Sequence, residues 1–318
     1  MTPDLAITAP AAIPAREVLR KHGRSFHFAS KLLGTRHAER GARLYAFCRH
    51  LDDIADETPE PDQAGEALEA TRLALKAGYA SDPVVMDFIM LAAETHMSLD
   101  PALHLLDGLF QDLDAVALTS QAELIRYAYR VAGTVGLMMC AVLDTRDTRA
   151  LPHAIDLGIA MQLTNIARDI GEDARMGRRY IPGAWVNDAA PADIGAPSPD
   201  LQSKLKAATA RLLALADRYY ASGEAGLHHL PARARLAILV ASRVYGAIGR
   251  DISKHDYRSW DRRAQVSGPS KIGLALRASH RFFATDTMKT VATAHDPVLH
   301  GPLRTLLRSS EAQVSRHA

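Results

Sequence analysis

A row of polar side chains at helical spacing begins at Tyr45. At about 100° per residue, Arg49, Asp52 and Asp56 share one helical stripe with this tyrosine, because the steps between them are three or four residues. Carboxylates four residues apart repel each other and destabilise an isolated helix by about 0.2–0.5 kcal/mol. One such cluster is typical of a solvated acidic face, and a function becomes the better explanation only when a second cluster accompanies it.

A second row repeats this arrangement further along the chain and consists of Gly158, Gln162, Asn165, Asp169 and Asp173. The successive steps are again three or four residues, so these positions share one stripe of a helix. Apolar side chains occupy the other faces, whereas an ordinary surface helix has a wide polar face. A narrow stripe of amide and carboxylate oxygens in an apolar helix predicts an internal polar site.

Oxygen ligands without a neighbouring cysteine or a paired histidine suit a hard cation, which indicates Mg²⁺ with Mn²⁺ as a substitute. Mg²⁺ in proteins keeps several waters and binds through one or two carboxylates together with phosphate groups of a substrate. Two facing helices that each carry an Asp-x-x-x-Asp pair would therefore clamp a diphosphate between metal ions. Guanidinium groups that could neutralise its oxygens stand nearby in the sequence, at Arg49, Arg168, Arg175, Arg178 and Arg179.

Other chemistries lack their motifs in this sequence. No glutamate has a histidine three residues later, as in di-iron carboxylate bundles, and no His-Glu-x-x-His zinc motif occurs. The glycine-rich loops of nucleotide-binding folds are also missing. Lys and Arg number 38 against 36 Asp and Glu, so the net charge is +2 and the chain lacks the basic excess of a nucleic-acid-binding protein.

Helices must position both rows, and helical periodicity runs along the sequence without a convincing alternating strand pattern. The 318 residues, 47% of them hydrophobic, are enough for a substantial core. Proline-containing interruptions at 58–63 and 187–203 bring no change in composition, so we expect one large all-α domain over 15–308, with flexible tails at 1–14 and 309–318. The predicted helices cover 15–32, 37–56, 64–79, 83–97, 101–113, 121–143, 149–174, 201–222, 232–256, 270–284 and 297–315.

The cellular compartment is inferred from the cysteines and the apolar runs. Cys48 and Cys140 cannot form a disulfide framework, and their apolar helical surroundings favour buried, reduced thiols. The N-terminus lacks the order of a signal peptide, and the longest apolar run, 131–143, is shorter than the ~20 residues that span a bilayer. We therefore expect a cytoplasmic protein, with room for peripheral attachment to the inner membrane.

Four stretches carry a family resemblance, because they occur together in the order and spacing of one group of enzymes. They are Ser25–Leu33, Leu44–Asp56, Tyr127–Met139 and Leu157–Pro182, and a weaker match continues at Val244–Ile248. On these residues the chain resembles the squalene/phytoene synthase family, the head-to-head prenyl transferases, and looks closest to its bacterial phytoene synthases. The resemblance implies an all-α isoprenoid (terpenoid) synthase fold, a single-domain helical bundle around a central cavity.

The resemblance also implies roles for individual side chains. Asp52 and Asp56 match the family's first aspartate motif, and Asp169 and Asp173 match its second. Together with Asn165, these four residues are the implied metal ligands. The implied catalytic residues are Tyr45, Arg49, Asp52, Asp56, Tyr129, Asp169 and Asp173, and the implied substrate-binding residues are Ser25, Phe26, Arg49, Gln162, Asn165, Arg168 and Tyr245.

The implied reaction is the Mg²⁺-dependent head-to-head condensation of two geranylgeranyl diphosphates, through prephytoene diphosphate, to phytoene in carotenoid biosynthesis. In such a reaction Mg²⁺ would neutralise the departing diphosphate, and the aromatic faces of Phe26, Tyr45 and Tyr129 would stabilise carbocations. Three alternatives stay open. They are a C30 enzyme that converts farnesyl diphosphate to dehydrosqualene, squalene or presqualene diphosphate, a non-catalytic scaffold on the same fold, and a hydrolase that releases prenyl alcohol.

Two further features have more than one explanation. Gly133 and Gly136 in a predicted helix cost up to about 1 kcal/mol each, which either tight helix packing or space for a long apolar chain would explain. A hydrocarbon product would need contact with a membrane for its release, and Phe282, Phe283 and the region of Leu227 are candidates for that contact. The sequence does not indicate an oligomeric state.

Overall fold

The computed structural model describes residues 14–264, 268–284 and 294–307, and most of these residues are helical. Among the residues in these ranges, the only β-type pairing is one isolated parallel bridge between Ala117 and Arg179. The all-α class is therefore confirmed, whereas nearly all of both predicted tails lies outside the described residues. The helices are α1 (Ala15–His22), α2 (Arg24–Ser30), α3 (Thr35–Glu57), α4 (Pro61–Ala77), α5 (Pro83–Thr95), α6 (Asp100–Asp112), α7 (Gln121–Ala128), α8 (Thr134–Val142), α9 (Ala150–Arg175), α10 (Gly183–Val186), α11 (Pro191–Gly195), α12 (Pro199–Ala225), α13 (Ala232–Lys254) and α14 (Gly268–Ala284).

Two of the predicted helices are divided. The first is interrupted at Gly23, between α1 and α2. A Cβ atom on Gly23 would lie 2.8 Å from Leu19 Cδ1 and 2.9 Å from Tyr45 Cζ, so the chain can pass this closely over α3 only with glycine here. Within the predicted helix at 121–143, a π-turn at Tyr129–Gly133 separates α7 from α8. Such single π-turns are frequent at functional sites.

Short helical segments also occur where the sequence predicted an interruption or a longer helix. The interruption at 187–203 contains α11 and the first turn of α12, because Pro191 and Pro199 stand at helix starts where no N–H is needed. The last predicted helix is described up to residue 307, as a 3₁₀ turn at Gly301–Leu303 followed by a helical turn at 304–307.

Two large apolar clusters form the core. One joins α3, α4, α5 and α6 with α8, and in it Phe47 and Phe88 stack with ring centroids 3.7 Å apart. The other joins α7, α9, α12 and α13, and Val131 packs against both clusters. Cys48 and Cys140 are free thiols, half-buried and buried respectively. Because α3 belongs to the first cluster and α9 to the second, the two polar rows come from different halves of the core.

Helix α9 lies against α8 and against the preceding π-turn, and one glycine stands at each contact. A Cβ atom on Gly136 would lie 2.1 Å from the carbonyl oxygen of Ala154, and one on Gly158 would lie 2.2 Å from that of Ala132. Both distances are far below van der Waals contact, so tight helix packing explains Gly136. Gly158 belongs to the second polar row, but the backbone of the π-turn at Ala132 covers it.

Candidate active site

The first row lies on α3, where Asp52 is half-buried and Asp56, one turn further on, is exposed. Burial and the like charge of Asp56 raise the pKa of Asp52 to about 7, against the opposing effect of Arg49. Near neutral pH this carboxyl group therefore ionises at a cost in free energy. A cation bound beside it would remove that cost.

The second row lies on α9, where Asp169 and Asp173 are both half-buried and one turn apart. Burial and the like charge of Asp169 raise the pKa of Asp173 to about 8, and the charge of Arg178 opposes this shift. Each row thus contains a carboxyl group whose negative charge is only partly neutralised by the surrounding protein groups.

Arg178 and Asp112 connect the two rows. The Arg178 guanidinium donates from Nη1 to Asp56 Oδ1 at 2.8 Å and from Nη2 to the carbonyl oxygen of Asp112 at 3.2 Å. The negative charge of Asp112 contributes to the raised pKa of both Asp52 and Asp173, so this residue at the end of α6 lies within electrostatic reach of both helices. The two aspartate pairs therefore meet at the carboxyl end of α6.

Asp112 is 7% exposed and is held by two tyrosines. Tyr127 and Tyr180 donate to its two carboxylate oxygens at 2.9 and 2.7 Å, and their rings stack with centroids 4.7 Å apart. Burial raises the pKa of Asp112 to about 6, while the two hydroxyl donors lower it. Asp112, Tyr127 and Tyr180 were not predicted, because no regular spacing in the sequence links them. The one indication in the sequence was a single acidic residue at the end of an apolar helix.

The segment after α9 explains how Arg178 reaches the site. It runs extended beside residues 116–118, and hydrogen bonds of 2.8 and 3.1 Å join the backbone of Arg179 to that stretch. Successive side chains of an extended segment point to opposite sides. Arg178 and Tyr180 therefore both reach Asp112, whereas the buried side chain of Arg179 turns away from it.

The amide side chains of α9 present an unpaired oxygen. Asn165 donates from Nδ2 to Gln162 Oε1 at 3.3 Å. Its Oδ1 atom is buried and has no hydrogen-bond partner among the described residues. A buried polar atom without a partner costs about 1–3 kcal/mol, so a bound cation or water is its usual explanation.

Two arginines neutralise Asp169. Arg168 binds it through a pair of hydrogen bonds of 2.9 and 2.5 Å. Arg263 lies 3.0 Å from the same carboxylate and 3.1 Å from that of Glu172. Arg263 was not predicted, because the sequence after Pro182 carries few of the motifs that identify the family. Of the five arginines predicted from the sequence, Arg168 and Arg178 lie among the aspartates.

Three aromatic rings from α2, α3 and α13 form one group beside the second row. The Phe26 ring lies 6.3 Å from that of Tyr45 and 5.0 Å from that of Tyr245, centroid to centroid. Burial raises the pKa of Tyr245, while the charge of Arg168 lowers it and that of Asp169 raises it, so the Tyr245 hydroxyl lies close to that ion pair. We call Phe26, Tyr45 and Tyr245 the aromatic group.

The other predicted site residues have different surroundings. Arg49 pairs with Asp53 on its own helix. Tyr129 is 1% exposed in the core, and its hydroxyl lies 3.2 Å from His104 Nδ1. Ser25 is half-buried at the start of α2. The roles implied for Arg49, Tyr129 and Ser25 stay predictions.

Comparisons with known proteins extend these observations. The family model for squalene/phytoene synthase matches residues 19–270. The phytoene synthase of Cereibacter sphaeroides is 38% identical over 269 residues, which cover 81% of this chain and 76% of that protein. The 15-cis-phytoene synthase of a Paracoccus species is 38% identical over 284 residues, which cover 85% of this chain and 90% of that protein. The crystal structure of a dehydrosqualene synthase in complex with a ligand aligns with a TM-score of 0.75 at 27% identity, covering 85% of this chain and 96% of that one.

The range matched by the family model includes both polar rows, Arg178 and the aromatic group. The matched range therefore contains the part of the chain that forms the candidate site. Identity of this extent, over more than two thirds of the chain and of its relatives, decides the assignment. The chain belongs to the squalene/phytoene synthase family.

Proposed function

We propose that the protein is a phytoene synthase of the 15-cis type. Such a prenyl transferase condenses two geranylgeranyl diphosphates head to head, through prephytoene diphosphate, to phytoene in carotenoid biosynthesis. The observation that carries this proposal is that Arg178, just after the helix of the second row, donates a hydrogen bond of 2.8 Å to Asp56 of the first row and so joins the two aspartate pairs. Identity of 38% to two phytoene synthases supports the C40 product.

The residues at this site fit a divalent cation with oxygen ligands. Burial and like charges disfavour the ionised forms of Asp52 and Asp173, whose pKa values are about 7 and about 8. The buried Oδ1 atom of Asn165 has no hydrogen-bond partner among the described residues, so it is available as a further metal ligand. Asp52, Asp56, Asn165, Asp169 and Asp173 would hold Mg²⁺, or Mn²⁺ in its place. When bound, the metal supplies Lewis-acid neutralisation of the departing diphosphate.

The arginines at the site would bind diphosphate oxygens. Arg168, Arg178 and Arg263 already lie against the carboxylates that would hold the metal. Guanidinium groups bind phosphate oxygens through two parallel hydrogen bonds, so each can exchange a carboxylate for a phosphate of the substrate. Ser25, Arg49 and Gln162 complete the proposed substrate-binding set.

The aromatic group would stabilise the allylic carbocation that forms as diphosphate departs. Tyr245 adjoins the ion pair of Arg168 and Asp169, so the rings lie next to the place where the diphosphate would leave. Burial raises the pKa of Tyr45 to about 12, which keeps its ring neutral and its π face available. Cation–π attraction in a desolvated site contributes ~2 kcal/mol. Tyr129 is proposed for the same role from within the core.

The apolar part of the substrate would lie along α8 and α9. Val135 and Met139 on α8, Met161 on α9 and Val131 in the π-turn are half-buried, although most of the other apolar side chains on the two helices are fully buried. Half-buried apolar side chains inside a core indicate a space that a prenyl chain can fill.

A C30 synthase is the second candidate, because the aligned dehydrosqualene synthase shares 27% identity over 85% of this chain. It would use the same polar site with a shorter apolar space. A non-catalytic scaffold has no need for incompletely compensated carboxylates in both rows, which makes it the weaker explanation.

Incubation of the purified protein with Mg²⁺ and either geranylgeranyl or farnesyl diphosphate tests the proposal, with extracted products identified by mass spectrometry. We expect a C40 hydrocarbon from geranylgeranyl diphosphate. A C30 product from farnesyl diphosphate alone would support the second candidate, and free prenyl alcohol would indicate a hydrolase. The absence of any product from correctly folded protein would support the scaffold.

Phytoene is a hydrocarbon, so we infer that its release involves peripheral contact with the inner membrane. Among the described residues, every helix is too short or too polar to span a bilayer. The side chains of Phe282 and Phe283 lie outside the described residues, and Leu227 is 7% exposed, which excludes it as an anchor. On α14, Ile272 and Leu276 are 54% and 66% exposed, one turn apart, and offer an apolar surface instead.

A further inference from the structure

A buried cluster of histidine and carboxylate groups lies away from the proposed active site, in the first half of α9. Asp156 is 0% exposed, and both of its oxygens have histidine neighbours. His300 Nε2 lies 2.9 Å from Oδ1, and His295 Nε2 lies 2.9 Å from Oδ2. The Ser222 hydroxyl on α12 also donates to Oδ2, at 2.5 Å. The proposed reaction uses none of these residues, and Asp156 stands about 20 Å along the helix from Asp169.

The donor set differs in kind from that of the two aspartate rows. One ligand atom from each of Asp156, His295 and His300 lies within 4.8 Å of the other two. Two imidazole nitrogens with one carboxylate oxygen are ligands typical of Zn²⁺, whereas Mg²⁺ prefers oxygen ligands throughout. Tetrahedral ligands about 2.1 Å from Zn²⁺ are about 3.4 Å apart, so a histidine nitrogen that now lies 2.9 Å from the carboxylate oxygen that binds the ion would move away from it by about 0.5 Å.

The surroundings hold the three ligand groups in place. Ser222 fixes the Asp156 carboxylate through its hydroxyl, as outer hydrogen bonds commonly do at metal sites. The backbone carbonyl oxygen of Ser222 accepts a hydrogen bond of 2.7 Å from His153 Nδ1. The His153 ring stands edge-on to that of His295, with centroids 5.4 Å apart. Ser222 and His153 therefore hold the groups around Asp156 in place.

The chain topology shows what a metal ion here would join. His295 and His300 belong to the last described segment, 294–307, whereas Asp156 belongs to α9. Between the two histidines, the carbonyl oxygen of Leu299 accepts a hydrogen bond of 2.8 Å from Tyr219 on α12. We propose that Asp156, His295 and His300 bind Zn²⁺, with a water molecule as the fourth ligand, so that the ion fastens the C-terminal segment to α9, with Ser222 of α12 as a positioning residue.

Direct measurement of bound metal tests this proposal without reference to catalysis. The full-length protein would be stripped with EDTA, returned to a large excess of Mg²⁺ so that the aspartate rows are filled, and titrated with Zn²⁺. Bound zinc is then counted by mass spectrometry of the desalted protein, and Co²⁺ substitution reports nitrogen coordination through its visible absorption. We expect one Zn²⁺ per chain. The His295→Gln/His300→Gln double variant should bind it at least ~10-fold more weakly, and Ser222→Ala about 10-fold more weakly.

The matched control is His255→Gln, which alters an exposed histidine paired with Asp251 and should leave zinc binding unchanged. Equal zinc binding by the wild type and the double variant would overturn the proposal. A second measurement needs no variant: saturating Zn²⁺, added in excess Mg²⁺, should raise the melting temperature of the wild-type protein by several degrees. An unchanged melting temperature would also overturn it and would leave the cluster as a set of hydrogen bonds.

Discussion

Arg178, in the segment after α9, donates a hydrogen bond of 2.8 Å to Asp56 on α3, 122 residues away in the sequence. This ion pair joins the first aspartate row to the end of the second row's helix. Arg178 would exchange Asp56 for a phosphate oxygen of the substrate. The ion pair therefore keeps Arg178 within reach of the substrate.

Replacement of Arg178 by glutamine should lower kcat/KM for geranylgeranyl diphosphate by roughly 10- to 100-fold, because hydrogen bonds to charged groups contribute about 1.5–3 kcal/mol. Steady-state product formation at saturating Mg²⁺ measures the effect. Arg175→Gln, in an exposed side chain at the end of α9, is the control and should behave like the wild type. A threefold or smaller loss in Arg178→Gln would exclude this arginine from substrate binding.

Asp52→Asn and Asp173→Asn should each reduce phytoene formation by about 1,000-fold, because both remove a proposed ligand charge. The same variants should have a higher melting temperature than the wild type in EDTA, since each eliminates a carboxyl group whose ionised form is disfavoured by burial and like charge. Asp62→Asn, exposed in the first turn of α4, is the control for both measurements. Variants that keep wild-type turnover would remove these residues from the mechanism.

Asp52 and Asp173 should each make the stability of the metal-free protein fall as the pH rises from about 4 to about 8. Folding raises the pKa of Asp52 from the ordinary value of 3.8 to about 7 and that of Asp173 from 3.8 to about 8. In this window the folded state binds more protons than the unfolded state, so the free energy of unfolding decreases with pH. Urea unfolding in EDTA at several pH values measures the slope.

Two further results would bear on the same pH dependence. The Asp52→Asn/Asp173→Asn double variant should flatten the slope, and Mg²⁺ should stabilise the wild type more at pH 8 than at pH 5, because the ligands are then ionised. An identical slope in the double variant would assign the pH dependence to other groups.

Gly136→Ala should destabilise the protein by about 1–3 kcal/mol or more, because the added methyl group would meet the carbonyl oxygen of Ala154. Gly41→Ala on α3 is the matched control: its Cβ atom would meet nothing within 4 Å, so the higher helix propensity of alanine should stabilise the protein by up to about 1 kcal/mol. Urea unfolding compares the two variants. Effects of equal sign would contradict the packing described for α8 and α9.

Ile272→Glu/Leu276→Glu should weaken binding to anionic lipid vesicles at least several-fold, since α14 offers these side chains to the proposed membrane surface. Sedimentation with vesicles provides the measurement. Leu73→Glu on α4 changes another exposed leucine, at 59% exposure, and should bind vesicles like the wild type. If the wild type itself stays in the supernatant at low ionic strength, the inferred membrane contact is wrong.

The two polar rows could be predicted because their geometry is local. Steps of three and four residues place Asp52 with Asp56, and Asp169 with Asp173, on one face of a helix whatever the rest of the fold does. The break at Gly23 was not predictable in this way, because it depends on how closely α1 and α2 approach Tyr45. Local periodicity therefore predicted which residues share a helix face, but not which other segments of the chain that face contacts.

The contacts between distant segments required the folded chain. Asp112 belongs to no motif, and its role depends on Tyr127, Tyr180 and the extended segment that carries Arg178. Likewise, 139 residues separate Asp156 from His295, so no spacing could indicate their contact. Family resemblance placed Tyr129 near the reaction without showing that its hydroxyl faces a histidine in the core.

The close contacts of α9 with α8 at Gly136, and with the π-turn at Gly158, also bear on how this enzyme could diversify. Neither helix can move towards the other, and each already lies against the backbone of its neighbour, so their spacing is fixed. The room left for an isoprenoid tail then depends on the volumes of half-buried side chains such as Val135 and Met161. Evolution or engineering can therefore alter the carbon number of the product one side chain at a time, on a backbone that stays the same.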